Sequence, residues 1–169
     1  MSVYARRLVL VALRPAAARL AAAQGAILCR AQSSLITQFE ASVASLPQRE
    51  AVRYTAKNLK WTATEVKHFV DAHANALLEH GFVKGEVLAL WLPDSAEKHV
   101  TLLAAAKIGL KVVDVDQSLA TVADLRKILS TSACKAIFFE PVSKTQDNLL
   151  LLRKAIPEFF YCEFLPHDV

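Results

Sequence analysis

The sequence predicts an α/β fold: a partial doubly wound parallel sheet with helical crossovers, preceded by a short hairpin and an N-terminal helical leader. Two observations carry that prediction. First, from residue 86 onward, short runs rich in Val, Leu, Ile and Phe (residues 86–92, 111–115, 136–139 and 159–164) alternate with amphipathic stretches of helical length. Near-continuous apolar runs too short to be buried helices are the pattern of parallel strands covered on both faces, and the helical spacers are their crossovers. Second, Gly81, Gly109, Pro93, Pro141 and Pro157 fall at the seams between these runs, where a chain must stop one element and start the next.

Each element has a local reason. Residues 1–34 read as a leader and residues 35–169 as the folded domain. Residues 35–46 are expected as a helix with Leu35, Phe39, Val43 and Leu46 on one side, ended by Pro47. Residues 51–54 and 59–61 form a hairpin around Ala56, Lys57 and Asn58. Thr62 is a helix N-cap with Glu65 three residues on, the capping-box spacing. That helix runs to about His80, with Gly81 behind it and a stripe of Val66, Phe69, Val70, His73 or Ala74, and Leu77. After the strand at 86–92, Asp94 or Ser95 caps a helix over 96–108 that Gly109 closes. The strand at 111–115 leads through a loop to a helix capped by Thr121 and ending near Thr131. The strand at 136–139 stops at Glu140-Pro141. Ser143 or Thr145 opens a helix to Ala155, and residues 159–164 are the last strand.

Charge divides the chain unevenly. No acidic residue precedes Glu40, whereas Arg6, Arg7, Arg14, Arg19 and Arg30 do. Five of the 20 Lys and Arg residues therefore lie in the leader, leaving 15 against all 16 Asp and Glu. The basic balance belongs to the leader, so the folded domain lacks the concentrated positive face that nucleic acid requires. An Ala- and Arg-rich, acid-free leader with Ser33 and Ser34 near its end has the composition of a mitochondrial presequence. Its alternatives are a secretory signal, with Leu8 to Leu13 after Arg6-Arg7, and a membrane helix over residues 8–29, which Arg14, Pro15 and Arg19 make costly. Cys29, Cys134 and Cys162 lack metal-ligand spacing and read as buried or incidental thiols of a reducing compartment.

Chemistry-bearing clusters are few. No glycine-rich turn follows a strand, so neither a dinucleotide fingerprint nor a Walker loop is present. Asp114, Asp116 and Asp124 fall at the carboxyl edge of a predicted strand, where sites in parallel sheets form and where magnesium is conceivable; the plainer reading is loop acids that cap the next helix. Glu65, His68 and Asp71 share a helical face as a hypothetical ligand set, and His73 and His80 share another; the plainer reading is solvated or packed helix residues. Serines 33, 34, 95, 118, 130, 132 and 143 have no nucleophile-elbow context. Phe159, Phe160, Tyr161 and Phe164 make an apolar last strand that needs covering at an open sheet edge.

A series of short phrases then points to a family. Lys60-Trp61-Thr62 with Glu65-Val66, Gly81 through Val87, Leu92-Pro93-Asp94-Ser95-Ala96-Glu97, Lys107-Ile108-Gly109, and Val112 through Leu119 stand in a fixed order. Together they resemble the opening of the acyl-adenylate-forming superfamily of acyl-CoA synthetases, peptide-synthetase adenylation domains and luciferases. The resemblance runs from about Phe39 to Pro141 and more loosely to Val169. Asp94 stands where the family usually has Asn, and Asp114 and Gln117 stand where it usually has Pro. The phrases that carry the family's catalysis come later in its members, and none has a counterpart here. The resemblance therefore implies scaffold. No catalytic, cofactor-binding or metal-binding residue, and no cofactor, is expected.

On that basis the chain is expected not to be an enzyme but a structural or interaction subunit in a mitochondrial multiprotein complex: a respiratory complex, the ATP synthase or the ribosome. The alternatives are a fragment of an adenylating enzyme completed in trans, or an acyl- or CoA-binding module. The expected partners are other protein subunits, bound through the exposed sheet edge and the Phe159-to-Phe164 segment, with membrane association through the leader left open and no nucleic acid on the folded domain.

Overall fold

Seven strands and five helices follow one another as β1 (Leu8–Ala12), α1 (Ser34–Ser45), β2 (Glu50–Tyr54), β3 (Leu59–Thr62), α2 (Ala63–Glu79), β4 (Val87–Trp91), α3 (Ala96–Ile108), β5 (Lys111–Asp114), α4 (Val122–Ser132), β6 (Ala136–Phe139), α5 (Asn148–Ala155) and β7 (Phe160–Phe164). They are seen in a computed structural model that describes residues 8–12, 34–55, 58–118, 121–141, 147–157 and 160–164. The elements fall into two units. One holds a five-stranded sheet with α4 and α5; the other holds α1, the β2–β3 hairpin, α2 and α3.

The sheet has the order β5-β4-β6-β1-β7. Its three strands from the predicted α/β run, β5, β4 and β6, are parallel, with Leu88 beside both Val112 and Ala136. Strand β4 is apolar throughout because both its faces are buried: Leu88, Ala89, Leu90 and Trp91 are all fully covered. Ala89 and Trp91 belong to a cluster with Ile137 and Phe139 of β6, Leu125 and Leu129 of α4, and Leu152 and Ala155 of α5. Helices α4 and α5 are joined by Arg126, which donates to the carbonyls of Ala155 (3.0 Å) and Lys154 (3.1 Å) at the end of α5. Those carbonyls have no partner within the helix, so the guanidinium takes the place of a C-cap. At the amino ends of β4 and β6, Lys135 pairs with Glu86 at 2.6 Å.

The expected helical leader is corrected at Leu8–Ala12, which is a strand. It lies between β6 and β7 and is antiparallel to both, Val9 opposite Phe139 and Glu163, Ala12 opposite Ala136 and Phe160. The physical reason is in the residues: Leu-Val-Leu-Val-Ala is uncharged and rich in residues that favour extended backbone, and a five-residue run is too short to nucleate an isolated helix. Consequently β7 runs in the same direction as β6 but one place further out, and the sheet is mixed. Ser34 already opens α1, and the remaining leader positions, including Arg14, Pro15, Arg19, Cys29, Arg30 and Ser33, lie outside the described residues, as do Ser143, Thr145 and Phe159. The cap of α5 is Asp147, whose side chain accepts from the Leu150 N–H at 2.9 Å, rather than either residue expected.

In the second unit the hairpin is antiparallel, with Tyr54 opposite Leu59. The α2 capping box forms as expected: the Glu65 N–H donates to Thr62 Oγ1 (3.3 Å) and the Thr62 N–H to Glu65 Oε2 (2.7 Å). The α2 stripe is Val66, Val70, His73, Ala74 and Leu77, while Phe69 is only half-buried and packs on Trp61, ring centres 4.5 Å apart. Helix α1 buries Ile36 and Val43, not Leu35 and Leu46, which are 55% and 49% exposed. Two helical stripes overlapped in that sequence, and packing chose the one through Ile36. Gly109 closes α3 at φ +76°, a left-handed conformation costly for residues with a Cβ. Its carbonyl also accepts from the Gly85 N–H at 2.9 Å.

Candidate functional site

Parallel sheets form sites beyond the carboxyl ends of their strands. In the sheet unit that edge is made by Trp91 at the end of β4, the turn from Val115 to Ser118 after β5, and Phe139-Glu140 at the end of β6. The Trp91 indole lies against the Phe139 ring, centres 6.4 Å apart and planes 25° from parallel. The Val115 N–H donates to the Leu90 carbonyl at 2.8 Å, which carries the parallel β4–β5 ladder one residue past Asp114. Asn148, fully buried at the first turn of α5, donates through Nδ2 to the Glu140 carbonyl at 2.9 Å.

Three polar atoms at this edge are buried without a hydrogen-bond partner among the described residues: Trp91 Nε1, Gln117 Nε2 and Asn148 Oδ1. Two are donors and one is an acceptor. A buried donor or acceptor left unpaired costs about 1–3 kcal/mol. Among the described residues this edge carries no nucleophile with a neighbouring base. None of these three residues stood out in the sequence for chemistry, because whether an amide or indole is satisfied depends on neighbours that sequence spacing does not reveal.

The acids and histidines singled out earlier separate. Asp116 accepts from the Ser118 N–H at 2.8 Å and so holds its own turn. Asp124 accepts from the Thr121 hydroxyl while its N–H donates to Thr121 Oγ1 at 3.1 Å, the reciprocal cap of α4. Asp114 is exposed at the end of β5. In α2, Glu65 is held in the capping box, and the hydrogen bonds from the Thr62 backbone and hydroxyl keep its carboxyl below the ordinary range. Asp71 accepts from Lys67 and, at 2.7 Å, from Lys107. Burial works to raise its pKa, but hydrogen bonds from the two lysines prevail and lower it. Lys107 also reaches Glu40 at 3.2 Å and so ties α1, α2 and α3 together. His68 and His80 are exposed. Among the described residues no group of three or more His, Cys, Asp or Glu is placed to hold a metal ion.

His73 and Thr101 meet in the core at 3.2 Å, a pairing that looks like base and nucleophile. The proton inventory says otherwise. The Thr101 hydroxyl donates to the Glu97 carbonyl at 2.8 Å, so toward His73 it can only accept, and Nδ1 carries the proton of a neutral imidazole. Burial lowers the His73 pKa to about 4, against the opposing charge of Glu97. His73 is a satisfied core histidine. Cys134 is likewise a core residue: burial raises its thiol pKa, and Ser132 Oγ lies 2.9 Å from its sulfur.

The fold is that of part of the N-terminal subdomain of adenylating enzymes. Comparisons with known proteins agree. The family model for AMP-binding enzymes matches residues 39–159, and the chain belongs to that family. It is similar to the mitochondrial medium-chain acyl-CoA ligase ACSF2 of Macaca fascicularis, 33% identical over 119 residues, covering 70% of this chain and 19% of that protein. The Homo sapiens counterpart is 31% identical over 119 residues. Among solved structures it superposes on NpsA-ThdA, an artificially fused adenylation–PCP di-domain of a nonribosomal peptide synthetase from Klebsiella oxytoca. There the TM-score is 0.55 and the identity 25%, over 59% of this chain and 18% of that one. The N-terminal domain of FACL13 from Mycobacterium tuberculosis shares the fold at TM-score 0.58 over 61% of this chain and 26% of that one. The chain spans about a fifth of the length of its curated relatives, 19% of ACSF2.

Family membership corrects the expectation that the chain is not an enzyme. The family is one of AMP-binding enzymes, and the curated relatives are acyl-CoA ligases. That expectation rested on the lack of phrases that lie further along the family's members, and a partial stretch carries no information about chemistry performed elsewhere in the same fold.

Proposed function

We propose that this chain supplies the opening scaffold of a mitochondrial acyl-activating enzyme that takes medium-chain acids through an acyl-adenylate to the CoA thioester. The rest of the adenylating domain comes from further sequence or from a partner polypeptide. The observation that carries this reading is the 33% identity over 70% of the chain to a ligase named for that substrate class and that organelle. The acid-free, arginine-bearing leader supports the location. In this role residues 35–169 position the catalytic elements, and none of them acts on the reacting atoms. The polar edge at Trp91, Gln117 and Asn148 is where the neighbouring part of the domain meets the scaffold.

A second reading, favoured by the edge position of β7, is that the chain is an interaction subunit of a larger mitochondrial assembly, bound through its outer strand. One experiment separates the two. Tagged chain is recovered from mitochondria with its native partners and assayed for ATP–pyrophosphate exchange dependent on medium-chain acids. Exchange that is lost when the chain is depleted supports the first reading. A large assembly without such exchange overturns it in favour of the second.

A further inference from the structure

Strands β6 and β7 run in the same direction and are consecutive in the sheet unit, joined through α5. A strand–helix–strand crossover of this kind ordinarily sets its two strands side by side. Here they are kept apart. β1 stands between them, antiparallel to both, with Ala12 opposite Ala136 on one side and Phe160 on the other. Leaving β1 aside, the order is β5-β4-β6-β7 with every strand parallel. Counted from β4, that is the doubly wound order 2-1-3-4, of which β5, β4 and β6 already form the first three places. The stretch matched by the family, 39–159, contains β4, β5, β6 and α5 and stops one residue before β7, whereas β1 lies outside it. Direction, chain position and family match all mark β1 as the inserted strand.

β6 needs a neighbour on this side. Ala136 is 1% exposed and Ile137, Phe138 and Phe139 are fully buried, and so apolar a strand is poorly suited to be an open edge. Two strands can fill the place, one at a time. β7 is kept within reach whichever does so, because α5 is fixed beside β6. Leu152 and Ala155 share a buried cluster with Ile137 and Phe139, and Asn148 Nδ2 donates to the Glu140 carbonyl at 2.9 Å. Arg126 holds the other end of α5 through the carbonyls of Ala155 and Lys154.

We propose that β1 is a removable insert: while it is in place the sheet is held in a mixed order, and its withdrawal lets β7 move one place inward and pair with β6 as the fourth parallel strand. The proposal rests on the reading of residues 1–34 as a leader and states what the leader's departure does to the scaffold. Its test reads disulfides alone, so that failure here leaves the question of acyl activation untouched.

Strand spacing supplies the test. Neighbouring strands lie about 4.8 Å apart, so residues 136 and 160, with Ala12 between them, are separated by roughly 10 Å, beyond the disulfide limit of about 7 Å. Once β7 has moved inward they are neighbours. The full chain is cleared of its own thiols by Cys29→Ser, Cys134→Ala and Cys162→Ser. Two pairs are then compared, Ala12→Cys with Phe160→Cys and Ala136→Cys with Phe160→Cys. On mild oxidation, peptide mass mapping should find the 12–160 bond and no more than a trace of the 136–160 bond.

Val9→Pro with Leu10→Pro releases the insert. Consecutive N–H groups of an antiparallel strand face opposite neighbours, so the two prolines break the ladders to β6 and to β7 together. In the released chain the 136–160 bond should form at least tenfold faster, with the helical circular dichroism signal retained. Failure of residues 12 and 160 to crosslink in the intact chain overturns the proposal. So does a released chain that unfolds, or one that links residues 136 and 160 no faster than the intact chain does.

Discussion

Lowering the pH from 6.5 to 4 protonates His73 in the unfolded chain before it does so in the folded one. The side chain is 7% exposed, its Nδ1 proton is given to Thr101, and its folded pKa is about 4 against an ordinary 6.5. Between those values the unfolded state binds more protons, so stability rises with pH across the window and is fully present above it. At 1.36 kcal/mol per pH unit, the loss on acidification reaches about 3 kcal/mol by pH 4. That is a large part of the stability of a domain this size. The charged group facing the ring is Glu97 on α3, which favours the protonated form and so limits the loss. The assay is urea unfolding followed by circular dichroism at half-unit steps from pH 7.5 to 4, for the parent chain and for His73→Leu. Carboxylates such as Asp71 titrate in both proteins and cancel in the difference. The parent should lose stability relative to the variant steadily through the window. A difference that stays flat, or a folded-state imidazole titrating near 6.5 by proton NMR, would refute the assignment of a neutral, satisfied core histidine.

Three further outcomes follow from the packing. Leu152→Ala removes a fully buried side chain from the cluster beneath α4 and α5, and should cost about 2–5 kcal/mol in equilibrium unfolding. Thr62→Ala removes the hydroxyl that accepts from the Glu65 N–H, leaves the Thr62 backbone N–H to Glu65, and should cost about 1 kcal/mol, with faster amide exchange confined to the first turn of α2. Lys107→Met severs the contacts to Glu40 and Asp71. All three side chains are about a third exposed, so the loss should stay within about 1 kcal/mol and shrink further in high salt.

What the sequence disclosed and what it withheld divide along the range of the interactions. The Thr62–Glu65 box, the Gly109 closure and the Thr121 cap were readable because each is decided within four residues. Strands β4, β5 and β6 were readable because burial on both faces leaves a local apolar signature. The place of Leu8–Ala12 was not, since pairing with Ala136–Phe139 depends on partners far along the chain, and its arginine neighbours spoke for a different role. On α1, Leu35 and Ile36 offered equally good stripes, and only the packed structure distinguishes them. The candidate edge was half legible. Its location followed from the parallel sheet, but the acids expected there are occupied with their own turns, and Trp91, Gln117 and Asn148 matter through what they fail to bond.

The strand order also sets a timetable. Strand β1 has no neighbour in the sheet until β6 is synthesised and no second neighbour until β7 emerges. During translation residues 8–12 must therefore be kept from aggregating or be held by a chaperone until β6 and β7 are made. Contacts between segments so distant along the chain also form slowly. Closing the sheet is then a late event in the folding of this stretch.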